Sequence, residues 1–149
     1  RAQIERGRAA LARADRIGRG RASYGLQAAI AECHAVASSP EETDWARIVV
    51  LYEALGRIAP SPVVELNRAV AVAMSTGPAS ALRIVDELER SRRLAGYPGL
   101  PAVRAELLAR LGRADEARGE FETAARLTGN ERERAALLAK AAALPRVGE

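Results

Sequence analysis

Cys33 and His34 are the only cysteine and the only histidine of the chain, and they are adjacent in the sequence. A thiol beside an imidazole is a pair that nucleophilic catalysis uses. Consecutive side chains of a helix point about 100° apart, however, so these two do not face each other. Glu32 with His34 also lacks a known metal-ligand spacing. We therefore expect no enzyme activity, no metal and no cofactor, with Cys33 packed between helices and His34 hydrogen-bonded or partly exposed.

Asn67 and Arg68 are polar residues that interrupt a run of apolar ones, namely Val63, Val64, Leu66, Ala69, Val70 and Val72. Asparagine is a mediocre helix former whose carboxamide both donates and accepts hydrogen bonds. Two interpretations are open. Asn67 could bond a nearby loop such as 43–45, or it could face a groove and hold the backbone of a bound peptide.

Other polar side chains could continue such a groove. Gln27, Ala31 and His34 have the spacing i, i+4, i+7 and therefore share one face of a helix. The predicted partner-binding groove consists of Gln27, His34, Asn67, Arg68 and Arg110.

Positive charge is concentrated at the start of the chain. The whole chain has a net charge of +4, yet residues 1–21 contain seven arginines against Glu5 and Asp15. Such a helix could contact nucleic-acid phosphates without sequence preference. The alternative is a solvated helix face, because no aromatic side chain is interleaved for base stacking. The predicted phosphate contacts are Arg6, Arg8, Arg13 and Arg16.

The composition restricts the fold and the compartment. Among 149 residues there are 33 alanines and five aromatics, which favours closely packed helices over sheets. One cysteine excludes a disulfide framework and favours a reducing cytoplasm. The apolar runs are too short for a membrane span. The chain begins with Arg1 and has Met74 as its one methionine, which favours a segment of a longer protein.

Helical periodicity and turn signals predict an all-α chain of about eight helices. The first is expected to end at Gly18–Gly20, which follow a helix and therefore do not form a dinucleotide-binding turn. Thr43 or Asp44 should cap the third helix, and Ser61 with Pro62 should begin the fourth.

An internal repeat orders these helices into hairpins. Ala69, Gly77, Ala81 and Val85 align with Ala105, Gly112, Ala117 and Phe121 at offsets of 36, 35, 36 and 36 residues. This is near the ~34-residue tetratricopeptide period. One domain, 1–149, is predicted as a right-handed stack of antiparallel hairpins. Its parts are a basic helix at 1–21, a degenerate hairpin at 22–60, hairpins at 61–90 and 99–128, and a capping helix at 130–144.

Short motifs along the chain form a recognisable pattern. They are 24–31, 34–35, 43–45, 51–52, 60–64 and 66–73, followed by 77–78, 105–108, 111–112 and 128–130. In these segments the chain resembles the C-terminal extension of one group of extracytoplasmic-function RNA polymerase sigma factors. The resemblance covers nearly the whole chain and is most specific in its middle third.

The resemblance implies a bacterial sigma factor whose promoter-reading domains precede a regulatory tetratricopeptide-like tail. The expected partners are those preceding domains, RNA polymerase or a regulatory protein, with promoter DNA contacted only through the preceding domains. Alternatives are an auxiliary nucleic-acid contact through the basic helix, and a small-molecule-sensing helical domain.

Overall fold

The computed structural model describes residues 2–146, and its side chains from residue 6 onward. This part of the chain is all-α, without strands, as the composition predicts. The seven α-helices are α1 (Ala2–Val36), α2 (Trp45–Ile58), α3 (Pro62–Thr76), α4 (Pro78–Ser91), α5 (Gly99–Arg110), α6 (Ala114–Leu127) and α7 (Glu131–Ala143). A short 3₁₀ helix, Pro40–Glu42, lies between α1 and α2.

The predicted break at Gly18–Gly20 is wrong, because α1 runs through both glycines as one helix of 35 residues. Glycine costs only about 1 kcal/mol in a helix interior, and neither proline nor a capping residue accompanies these two. The separate helix at 1–21 and the helix expected to start at residue 22 are therefore one element.

The other predicted signals mark real helix ends. Asp44 caps α2, since its side chain accepts a hydrogen bond from the Arg47 backbone N–H at 3.1 Å. Pro62 is the first residue of α3, where its missing N–H costs nothing. Gly77 and Gly112 precede α4 and α6 with φ of 110° and 78°, a left-handed backbone that favours glycine.

The chain divides into two compact units, Arg1–Ser61 and Pro62–Glu149. In the first unit α1 packs against α2. The buried apolar side chains of this unit are Ile30 and Cys33 from α1 and Ile48 and Leu55 from α2. Residues 6–22 of α1 are exposed.

In the second unit each helix packs against the next one along the chain, and α3 also contacts α5. The small residues Ala69, Ala81, Ala105 and Ala117 are completely buried, which lets the helix axes approach closely. Val85 and Phe121 fill the space beside them. Within residues 2–146 we find no helix with the length and apolar character needed to cross a bilayer.

Candidate functional site

Cys33 and His34 have different surroundings on α1. The Cys33 thiol is free and buried, whereas His34 is exposed and meets the edge of the Trp45 ring, with centroids 5.3 Å apart. Trp45 is held in turn by a 3.3 Å hydrogen bond from its indole N–H to the Pro40 carbonyl. In the described part of the chain, no three His, Cys, Asp or Glu side chains are grouped to hold a metal ion.

Gln27 lies on the same helix, in the first unit. It is exposed, and its amide nitrogen donates to the Ser23 hydroxyl at 3.2 Å. Gln27 and His34 thus belong to one unit, and the other three predicted groove residues belong to the second.

Asn67 lies on an exposed side of α3. Its carboxamide has no hydrogen-bond partner among the described residues. Val70 and Met74 follow at i+3 and i+7 and are 37% and 45% exposed. We call Asn67, Val70 and Met74 the α3 face. The carboxamide of this face can hydrogen-bond a peptide backbone. Its two apolar side chains are exposed to solvent.

Arg68 points elsewhere, although it is the next residue. Its guanidinium makes a two-pronged ion pair with Glu65, at 3.0 and 3.1 Å. Arg68 lines a groove of about 460 Å³ between α3 and α4, together with Arg83, Glu87 and Arg93. Asn67 does not line that groove, so these two predicted site residues serve different surfaces.

Arg110 is exposed in the last turn of α5. There it stands near the negative end of the helix dipole, which favours a cation. The five residues predicted as one groove are therefore distributed over α1, α3 and α5.

The four arginines predicted as phosphate contacts are all exposed, in the N-terminal half of α1. In this half Arg19 pairs with Asp15 one turn earlier. Leu11 and Ile17 are 73% and 56% exposed on the same stretch.

A charged cluster that sequence reasoning missed joins three helices of the second unit. Arg104 on α5 contacts Asp86 at 2.9 Å and Glu89 at 3.2 Å, both on α4, and Glu120 on α6 at 3.7 Å. Burial raises the pKa of Glu120, the charges of Glu89 and Asp86 raise it further, and Arg104 opposes them. Burial alone would lower the pKa of Arg104, but its three carboxylate partners raise it. The three acidic residues lie 15 to 18 positions from Arg104 in the sequence, so no local spacing indicates the cluster.

No family model matches the chain, and no solved structure matches it. A protein of Rhizobium meliloti strain 1021, described as uncharacterized, is 52% identical to it over 112 residues. These residues make up 75% of this chain and 26% of the Rhizobium protein. The chain thus spans about a quarter of the length of this curated relative.

Proposed function

We propose that this chain is a regulatory protein-interaction module of a bacterial sigma factor. It would modulate transcription initiation by binding the preceding sigma-factor domains, RNA polymerase or a regulatory protein. The observation that carries the proposal is the α3 face, which exposes Asn67, Val70 and Met74 within the segment of most specific resemblance to sigma factors.

The internal repeat supports a tetratricopeptide-like stack in the second unit. Ala69 and Ala105 are both completely buried, as are Ala81 and Ala117. Both hairpin turns have a glycine with positive φ. Such stacks present an extended surface to peptides and partner domains.

A match to about a quarter of a longer relative fits a module that works beside other domains. The proposal assigns no catalytic step and no cofactor to the chain, and it places the protein in the cytoplasm, where transcription occurs in bacteria.

Site-specific photo-crosslinking tests this function. A photoreactive amino acid at position 70, in cells that produce the protein, should give adducts with sigma-factor domains, a polymerase subunit or a protein that regulates transcription. The matched control is position 119 on α6, where Gly119 is exposed and an added side chain meets nothing within 4 Å. Adducts only with proteins that have no role in transcription, or equal adducts from both positions, would refute the proposal.

A second function, auxiliary contact with nucleic acid, is favoured by the exposure of residues 6–22. A helix without packed neighbours can approach a phosphate backbone along its length. Replacing Arg6, Arg8, Arg13 and Arg16 by glutamine should weaken binding to duplex DNA and reduce the slope of log K against log salt by up to about 4. An unchanged slope would eliminate this function.

A further inference from the structure

A groove of about 360 Å³ between α6 and α7 has an excess of positive charge. Its charged lining consists of Arg118, Arg126, Arg134, Arg146 and Glu122. Between these side chains lie Ala125, Leu138 and Ala141, which make part of the groove apolar. A concave site with an apolar wall and a few converging charges is the usual form of a small-ligand site.

Two of the arginines are fixed in position by the fold. Arg134 donates to the backbone carbonyls of Ala125 and Thr128, at 2.9 and 2.7 Å. Arg118 donates to Asp115 at 2.8 Å and to the Pro145 carbonyl at 2.9 Å. Guanidinium groups that are already held in place lose little conformational entropy when a ligand binds.

Arg118 also has a donor that the fold does not use. Its Nε–H is buried and has no acceptor among the described residues. A buried donor without an acceptor destabilises the fold, and more so when the group is charged. An anionic ligand oxygen that reached this N–H would supply the missing acceptor.

Arg126 and Arg146 are exposed at the same groove. Arg126 donates to the Thr123 hydroxyl at 3.0 Å, which leaves other N–H groups of its guanidinium for a ligand. Asp115 pairs with Arg118 and Glu131 pairs with Arg134, which leaves Arg126 and Arg146 against the one lining carboxylate, Glu122. The groove therefore complements a negative ligand.

We propose that the groove between α6 and α7 binds a small organic anion, with a phosphate or carboxylate held by the arginines and a short apolar part against Ala125, Leu138 and Ala141. Arg118 and Arg134 form the preset part of the site, and Arg126 and Arg146 attract the charge. This site is independent of the α3 face and of the proposed sigma-factor role.

Phenyl phosphate is the probe, and calorimetric titration of the chain measures its affinity. Because the ring covers apolar surface, phenyl phosphate should bind at least tenfold more tightly than inorganic phosphate. Because the arginines attract a negative charge, phenyl phosphate should also bind at least tenfold more tightly than the neutral benzyl alcohol. Phenylacetate distinguishes a carboxylate site from a phosphate site by which of the two anions binds more tightly.

Variants locate the site. The double variant R126Q/R146Q should lose at least tenfold in affinity for phenyl phosphate. R132Q, which removes one exposed charge from α7 outside the groove, should stay within twofold of the wild type. The Nε–H resonance of Arg118 should shift on titration in NMR spectra of the wild-type chain.

Three results would overturn the proposal. They are an unmoved Arg118 Nε–H signal, equal losses in R132Q and R126Q/R146Q, and benzyl alcohol binding as tightly as phenyl phosphate. A tetraglutamate peptide that binds more tightly than phenyl phosphate would also overturn it, in favour of a site for acidic peptides.

Discussion

The two asparagines of the chain, Asn67 and Asn130, have opposite relations to the fold. Asn130 caps α7, because its side chain accepts a hydrogen bond from the Glu133 backbone N–H at 2.9 Å. Asn67 is exposed in a helix interior, and its carboxamide bonds to no described residue. The same residue type therefore stabilises one helix and slightly weakens another.

Alanine substitutions should separate these roles. Asn67→Ala should leave the free energy of unfolding unchanged or raise it by about 0.5 kcal/mol, since alanine is the better helix former. Asn130→Ala should lower it by about 1 kcal/mol through the lost cap. Urea denaturation measures both. A loss of 1–3 kcal/mol in Asn67→Ala would show that Asn67 bonds a buried group instead of serving a binding face.

Glu120 and Glu116 lie one turn apart on α6 and should respond to pH in opposite ways. Burial raises the pKa of Glu120, whereas hydrogen bonds from Arg113, at 2.8 and 2.7 Å, lower that of Glu116. A raised carboxyl pKa gives stability that is present below the ordinary value of 4.5 and lost as pH rises through the folded value. A lowered one gives stability that is present above 4.5 and lost as pH falls through the folded value.

Glutamine variants test these signs by denaturation at several pH values. As pH rises from about 4.5 toward 7, E120Q should gain stability relative to the wild type, because it keeps a neutral side chain at the buried position. E116Q should lose stability relative to the wild type as pH rises toward 4.5, because only the wild type has the carboxylate that Arg113 stabilises. Parallel trends in the two variants would contradict the assigned environments.

At the scale of the element, α1 continues through Gly18 and Gly20, although neither the space around them nor their backbone conformation requires glycine. A Cβ at Gly18 or Gly20 would meet no atom within 4 Å. Gly112 differs, since its φ of 78° is a conformation that alanine adopts only with strain.

Glycine-to-alanine changes should therefore have opposite effects at these positions. The double variant G18A/G20A should slow amide hydrogen exchange in residues 8–24, because each alanine favours the helix by up to about 1 kcal/mol. Its global unfolding midpoint should change little, because residues 6–22 are exposed. G112A should lower the unfolding free energy by about 1–2 kcal/mol. Faster exchange in G18A/G20A would contradict the continuous helix.

Helix ends and buried faces were predictable from the sequence where a residue type favours a single local structure. Pro62 at a helix start, Asp44 as a cap and the small residues Ala69 and Ala105 in the core are examples. The continuation of α1 through Gly18 was not predictable, because a glycine can end a helix or only lower its stability.

Site geometry was less predictable because it depends on contacts between helices. Asn67 and Arg68 are neighbours in the sequence, yet only Arg68 lines the groove beside α4. Arg104 meets Asp86 and Glu120 only after three helices have packed. The arginines between α6 and α7 likewise come together from two helices and the segment after them.

At the scale of the whole molecule, the surfaces proposed for different functions lie in different units. The first carries the exposed arginines of α1, and the second carries the α3 face and the anionic-ligand groove. Nucleic-acid contact and partner binding can therefore be removed separately. R6Q/R8Q/R13Q/R16Q should leave photo-crosslinking from position 70 unchanged, and crosslinking yield measures this. A parallel loss would mean that both functions use one surface.

The central claim, that the α3 face binds the transcription machinery, is tested most directly by competition. Residues 1–149 are added in excess to in vitro transcription by the proposed sigma factor, beside the variant Val70→Glu. Val70 is 37% exposed, so this variant should fold, and its circular dichroism melting curve verifies that. We predict that the wild-type chain changes transcription in proportion to its concentration, while V70E needs at least fivefold more for the same change. Equal effects of the two proteins, or no effect of either, would contradict the account.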